Sequence, residues 1–162
     1  MRLGDRAFFI LQNVEGRILD VGAGQMHPWL ISGLNMRPNV AVDLKDYDIN
    51  LTWIKCKASK IPIEGFIIAD AHNLPFRDKC FDSCVTGDIL EHVEKPRRCI
   101  EEALRVSMKL IITVPNEKGH KSECKVYIIP DRVMLESWLN GYKYQIYEIE
   151  TPFWNGFGVI VE

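Results

Sequence analysis

The sequence predicts an α/β domain on a mostly parallel sheet of seven strands, closed by an antiparallel pair at the C-terminus. Three observations carry that prediction. Five short apolar runs, Arg17–Val21, Asn39–Asp43, Phe66–Ala69, Asp82–Thr86 and Lys109–Val114, are mostly β-branched or aliphatic and bounded by Gly, Pro, Asn or Asp. They are continuous rather than alternating, the pattern of strands covered on both faces of a parallel sheet, and the longer mixed segments between them suit crossovers. Two further extended runs, Tyr142–Ile149 and Gly156–Val161, are joined by a short turn through Pro152 and Asn155, which fits an antiparallel pair.

Taken in order, Asp5–Asn13 reads as a short helix before the first strand. Pro28 suits a first helical position and opens a helix over HPWLISGLNM. Between Asp43 and Phe66 the segment KDYDINLTWIKCKASKIPIEG has poor helical periodicity and runs into Pro62, so an irregular or shortened second helix is expected. Lys95–Val106 sets Ile100, Ala103, Leu104 and Val106 among charged residues, with Pro96 near its start; it reads as a surface helix packed on the sheet. Pro130–Leu139 is a further helix, with Asp131 as N-cap and Gly141 as its stop.

Composition narrows the function classes. With 162 residues, 47% hydrophobic and 26% charged, the chain reads as a single domain over residues 1–162 with enough length for its own core. No apolar run approaches the roughly 20 residues that span a bilayer, and the N-terminus MRLGDRAFFIL does not have the build of a signal peptide. A net charge of −2, from 20 basic and 22 acidic residues, excludes a strongly basic, non-specific nucleic-acid binder. Five cysteines, at 56, 80, 84, 99 and 124, form no C-x-x-C pair, which points to reduced thiols and a cytoplasmic location. Cys80 and Cys84, flanking or within a core strand, read as small buried hydrophobes.

The strongest chemical signal is Asp20-Val21-Gly22-Ala23-Gly24, directly after the first strand. Glycines there let the backbone turn tightly and approach a ligand, at the strand edge where open α/β sheets bind ligands. A dinucleotide fingerprint needs a third glycine at position 27, which holds His27 followed by Pro28, so a nicotinamide-dependent oxidoreductase is disfavoured.

The stretches ILDVGAG, VAVDL, ADAHNLPFRDKCFDSCVTGDILEHVEKPRRCIEEALRV and KLIITVPNE occur in this order along the chain. With them the chain resembles the class I S-adenosylmethionine-dependent methyltransferases, most of all the small-domain group typified by ubiquinone and menaquinone biosynthesis methyltransferases. The resemblance implies a Rossmann-like, doubly wound sheet and S-adenosylmethionine as cofactor. It assigns Asp20, Gly22 and Gly24 to the turn that wraps the methionine and ribose part of the cofactor. Asp43 matches the acid that accepts both ribose hydroxyls, as an acceptor-only carboxylate can. Asp70 with Ala71 matches the pair that reads adenine, and Gly87 and Asp88 fall where the family lines the methyl-transfer cleft. An Asp at a strand end also commonly just caps the next helix. Two departures stand out: Met26 occupies the place of the family's usual third glycine, and the irregular stretch after Asp43 replaces the usual second helix.

Transfer from a sulfonium is an in-line displacement catalysed mainly by alignment, and a base is needed only where the acceptor must lose a proton. Candidates on the reactive edge are Asp88, Glu91, His92, Asn116 and His120, with Asp88 and His92 the expected catalytic pair. Alternatively, Glu91-His92-Val93 simply begins and caps the next helix. The pattern Asp88-x-x-Glu91-His92 also resembles one in metal-dependent O-methyltransferases. One helical turn would set the three residues on a single face for magnesium or manganese, with His120 completing the set. Trp29, Trp53, Trp138 and Trp154 read as core or rim residues, and of these only Trp53 and Trp154 also suit cleft walls. Lys118, Lys121 and Lys125 follow the fifth strand as a solvated loop or an attraction for an acidic acceptor. Short segments before the first strand and after the fifth predict a shallow acceptor cleft, or one completed by a homodimer or partner subunit, for an unidentified small or macromolecular acceptor. A non-catalytic cofactor-binding scaffold is the competing reading.

Overall fold

A computed structural model of the chain describes residues 5–24, 38–44, 63–117, 125–152 and 154–162. The expected helix after the glycine turn and most of the irregular stretch after Asp43 lie outside these residues, as do Met26, His27, Pro28, Trp29, Trp53, Cys56, Lys118, His120, Lys121 and Cys124. The described elements run α1 (Asp5–Asn13), β1 (Ile18–Val21), β2 (Val40–Asp43), β3 (Gly65–Ile68), β4 (Phe81–Gly87), a 3-10 turn (Leu90–His92), α2 (Pro96–Val106), β5 (Ser107–Pro115), α3 (Arg132–Leu139), β6 (Tyr144–Glu150) and β7 (Asn155–Val161).

The seven strands form one sheet in the order β3-β2-β1-β4-β5-β7-β6. β1 pairs in parallel with β2 and β4, and β4 with β5, whereas β7 runs antiparallel to both β5 and β6. The predicted mixed sheet with its closing antiparallel pair is therefore the observed one. The burial pattern explains the continuous apolar runs. On one face Leu19, Val21, Val40, Val42, Cys84, Leu110 and Ile112 pack with Ile100, Ala103, Leu135 and Leu139 of α2 and α3. On the other, Ile18, Ala41, Val85 and Ile111 meet Ile10, Leu11 and Val14 of the α1 end. With both faces covered, apolar residues occupy both parities of the inner strands, and polar residues on them such as Asp20, Ser83, Thr86 and Thr113 are themselves buried.

The helix ends follow the sequence chemistry. Asp131 caps α3, its carboxylate accepting the Met134 N–H at 2.7 Å, and Gly141 takes a φ of +96° just beyond the helix. Tyr142 still belongs to that turn, its N–H bonded to Leu139 O at 3.0 Å, so β6 begins two residues later than the apolar run suggests. Among the described residues no helix is long and apolar enough to cross a membrane.

The loop after β3 has no regular structure and is held from α2. Buried Glu102 accepts the Leu74 N–H at 2.9 Å and pairs with Arg105 at 2.8 Å and Arg98 at 3.1 Å. Arg105 in turn donates to the carbonyls of Leu74 and Phe76, each at 2.8 Å, and to Asp78. The Arg105 hydrogen bonds hold the Glu102 carboxyl below its ordinary range. Glu102→Ala strands the Leu74 N–H and one face of Arg105, and should lower stability by about 2 kcal/mol in chemical denaturation. Because the native carboxyl is the stronger acid, that contribution is present above the ordinary glutamate range and disappears as pH falls through the lowered native value. The gap between wild type and Glu102→Ala should therefore narrow in acid.

Candidate functional site at the carboxyl edge of the sheet

The strand order reverses direction at β1, with β2 and β3 to one side and β4 and β5 to the other. Such a reversal opens a crevice beyond the carboxyl ends of the strands, where ligands of open α/β sheets bind. The glycine turn lies there. Gly22 and Gly24 have φ of +73° and +46°, a region that costs an L side chain roughly 1–2 kcal/mol. The N–H groups of Gly22 and Ala23 both donate to Val42 O, at 2.8 and 3.0 Å, and that of Gly24 donates to Asp43 Oδ2 at 2.8 Å. The turn is thus folded onto the end of β2. From the other side Ile89 closes on it: a Cβ on Gly22 would lie 2.5 Å from Ile89 Cδ1. Asp20 and Asp43, taken from the sequence as separate candidates, flank this one turn.

Asp70 lies beyond β3 and is exposed. Its Oδ1 accepts the His72 N–H at 2.9 Å and meets His72 Nδ1 at 2.7 Å, which holds the carboxyl below its usual range, the backbone bond being the larger cause. It is thus a turn-forming acid as well as a candidate adenine reader. Ala71 is buried in the main core. Gly87 ends β4, where a Cβ would make ordinary contacts of 3.6 Å with Ile10 and Thr113, so neither space nor backbone geometry demands glycine there.

The segment after β4 overturns the alternative in which Glu91-His92-Val93 begins the next helix and agrees with the helix expected over Lys95–Val106. Residues 90–92 form a 3-10 turn, and the helix proper begins only at Pro96, so Glu91-His92-Val93 does not open it. Asp88 precedes the turn with a φ of +53°, Glu91 is 2% exposed, and His92 is half-buried. Among the described residues Asp88, Glu91 and His92 do not gather as metal ligands, because the single helical face assumed for them is not formed.

Their actual partners are different. Asp88 donates its backbone N–H to Thr113 O at 2.8 Å; its Oδ1 accepts Thr113 Oγ1 at 3.3 Å and its Oδ2 an ion pair from Arg6. Arg6 is the residue that motif reading missed. It lies one helical turn before fully buried Ile10 on α1, and a charge on a buried stripe was the available signal. Burial lowers the Arg6 pKa, opposed by the charges of Glu91 and then Asp20. Asp20 is 5% exposed. Burial pushes Glu91 up to about 7, and its Oε2 is buried without a hydrogen-bond partner.

His92 Nδ1 lies 2.7 Å from Lys125 O; a carbonyl only accepts, so Nδ1 carries the proton and Nε2 is the ring's acceptor nitrogen. Nε2 faces Glu91 Oε1 at 3.8 Å. Tyr127 N–H donates to Glu91 O at 2.8 Å, fastening residues 125–128 over the 3-10 turn. Asn116 N–H donates to Asn155 O at 3.2 Å, and the Trp154 indole N–H is buried without a partner near the same end of β5. A concavity of about 520 Å³ lined by Glu15, Gly16, Asp82, Met108, Lys109 and Glu162 lies at the opposite ends of β4 and β5, remote from the turn.

The sequence matches a family model described as a methyltransferase domain over residues 19–109, more than half of the chain. It is 34% identical over 96 residues to a demethylmenaquinone methyltransferase of Paenarthrobacter aurescens, a match covering 58% of this chain and 35% of that protein. The chain thus matches about a third of the length of that curated relative. Among solved structures, a SAM-dependent methyltransferase from Aquifex aeolicus is similar with a TM-score of 0.71 at 18% identity, covering 98% of this chain and 89% of the other. A magnesium protoporphyrin IX methyltransferase from Synechocystis with bound SAM is similar with a TM-score of 0.70 at 15% identity, over 98% of this chain and 76% of that one. The Rossmann-like sheet expected from the motifs is the fold these structures share with it.

Gly22→Ala places a methyl group against Ile89 and an L residue at positive φ. It should lower stability by at least roughly 1–2 kcal/mol in denaturant titration, whereas Gly87→Ala should change it little.

Proposed function

The chain belongs to the methyltransferase-domain family, in its class I S-adenosylmethionine-dependent branch, and from that premise we propose that it transfers a methyl group from S-adenosylmethionine to an acceptor by in-line displacement. The observation that carries this reading is the joint between Gly24 and Asp43, which sets a left-handed glycine turn and a carboxylate side by side at the sheet's reversal point. Bound there, S-adenosylmethionine supplies an activated methyl group on a sulfonium.

The residues present fit such a ligand. A Cβ on Gly22 would run into Ile89, so the turn presents backbone alone to whatever approaches it. Asp43 offers a carboxylate to a vicinal diol, Asp70 and Ala71 are the candidates for the adenine side, and Gly87 lines the edge beyond β4. Asp20 stands beneath the turn as the acid for an ammonium group. Asp88, with Arg6 and Thr113 on its two oxygens, acts in this reading by fixing the 88–91 segment rather than as a free base. Where the acceptor must lose a proton, His92 is the base, its Nε2 being the acceptor nitrogen. The demethylmenaquinone named for the curated relative is the first acceptor to try.

Calorimetric titration with S-adenosylmethionine and its demethylated product, beside NADH as control, tests the donor assignment. Both adenosyl ligands should bind and NADH should not. Asp43→Ala should weaken binding about 100-fold, the loss of two charge-assisted hydrogen bonds at roughly 1.5 kcal/mol each. Binding without methyl transfer to any of a panel of hydroxyl, amine and carbon acceptors would favour the scaffold reading instead.

A further inference from the structure

From α1, Arg6 reaches the segment after β4 at the carboxyl edge. Arg6 pairs with Asp88 and lies in the field of Glu91 and Asp20, and Glu91 is almost fully buried with one oxygen unbonded. The segment bearing Asp88 and Glu91 presses on the glycine turn through Ile89. Buried Glu91 is thus a carboxyl in a poorly solvated place on the segment that closes over the turn. If the chain transfers methyl groups as proposed, on which this inference rests, two ligands alternate at this turn. When the methyl group leaves, the C–S bond breaks and its electron pair remains on sulfur, so the sulfonium donor becomes a neutral thioether. Donor and product therefore differ by one positive charge beside the same protein atoms.

We propose that Arg6 and Glu91 set the preference of this site for the sulfonium donor over its thioether product. Ionised Glu91 favours the donor, and Arg6 holds that preference in check so that the neutral product is not excluded outright. The charged and titratable groups around Glu91 among the described residues are Arg6 from α1, which itself pairs with Asp88 and lies in the field of Asp20, and His92 of its own segment, with Nε2 3.8 Å from Glu91 Oε1; the strap 125–128 meets the Glu91 carbonyl through backbone N–H groups. Nothing in this role requires Glu91 or Arg6 to touch the ligand, since an unscreened charge acts over several ångströms.

The test is the ratio of the dissociation constants of S-adenosylhomocysteine and S-adenosylmethionine, measured by calorimetry on the whole chain at about pH 8, where a carboxyl titrating near 7 is mostly ionised. Glu91→Gln, which keeps shape and removes charge, should lower the ratio roughly three- to tenfold; Arg6→Met should raise it by a similar factor. Arg6→Lys should leave it near wild type. A merely structural role would weaken both ligands together and leave the ratio unmoved, so ratios within twofold of wild type in Glu91→Gln and Arg6→Met overturn the proposal. Failure of the wild-type chain to bind either ligand overturns the donor assignment itself and this inference with it.

Discussion

The architecture of the candidate site depends on three backbone N–H groups given by one strand's turn to its neighbour. Gly22, Ala23 and Gly24 all donate toward the end of β2, two to Val42 O and one to the Asp43 carboxylate. That commitment sets the height and direction of the turn, and it requires positive φ at both glycines. It also makes Asp43 a structural acid before any ligand arrives. A strand end that had lost the carboxylate would remove the bond from the Gly24 N–H and leave β2 holding the turn through Val42 O.

The opposite side of the crevice is organised by charge. α1 contributes to the hydrophobic core through Ile10 and Leu11, yet it also delivers Arg6 to the carboxylates of β1 and of the segment after β4. A guanidinium suits that post because its donors fan out in a plane and its charge survives burial. Thr113 on β5 completes the lock on Asp88 and thereby ties the reactive edge to the strand that carries the antiparallel pair. Packing and electrostatics thus meet in a helix that lies outside the segment matched by the family model.

Most of the sheet was legible in the sequence because two-sided burial writes itself as unbroken apolar runs, such as Val40–Val42 and Leu110–Ile112, in which successive residues are buried whichever face they point to. The α3 cap was legible for a local reason, since Asp131 reaches the Met134 N–H within one turn. The segment after β4 was not. Leu-Glu-His-Val has the spacing of a helix start, but Asp88 at positive φ and the bond from Tyr127 to Glu91 O draw the chain into a 3-10 turn. Both causes are tertiary, and the second acts across 36 residues of sequence (127 minus 91). Arg6 was hidden for a similar reason: its partner is 82 residues away, and no motif marks it.

The anchoring of the loop after β3 has a consequence for how this fold varies. Glu102 and Arg105 grip residues 74 and 76 by their main-chain N–H and carbonyl groups, not by their side chains. The loop's path is therefore stored in α2 as well as in its own buried residues. The exposed side chains of Asn73, Pro75 and Arg77 can be exchanged while buried Ala71 and Leu74 and the Asp78 carboxylate keep the loop in place, much as a fixed frame accepts successive panels. Diversity beside Asp70 can accumulate at those exposed positions without reopening the question of how the loop folds.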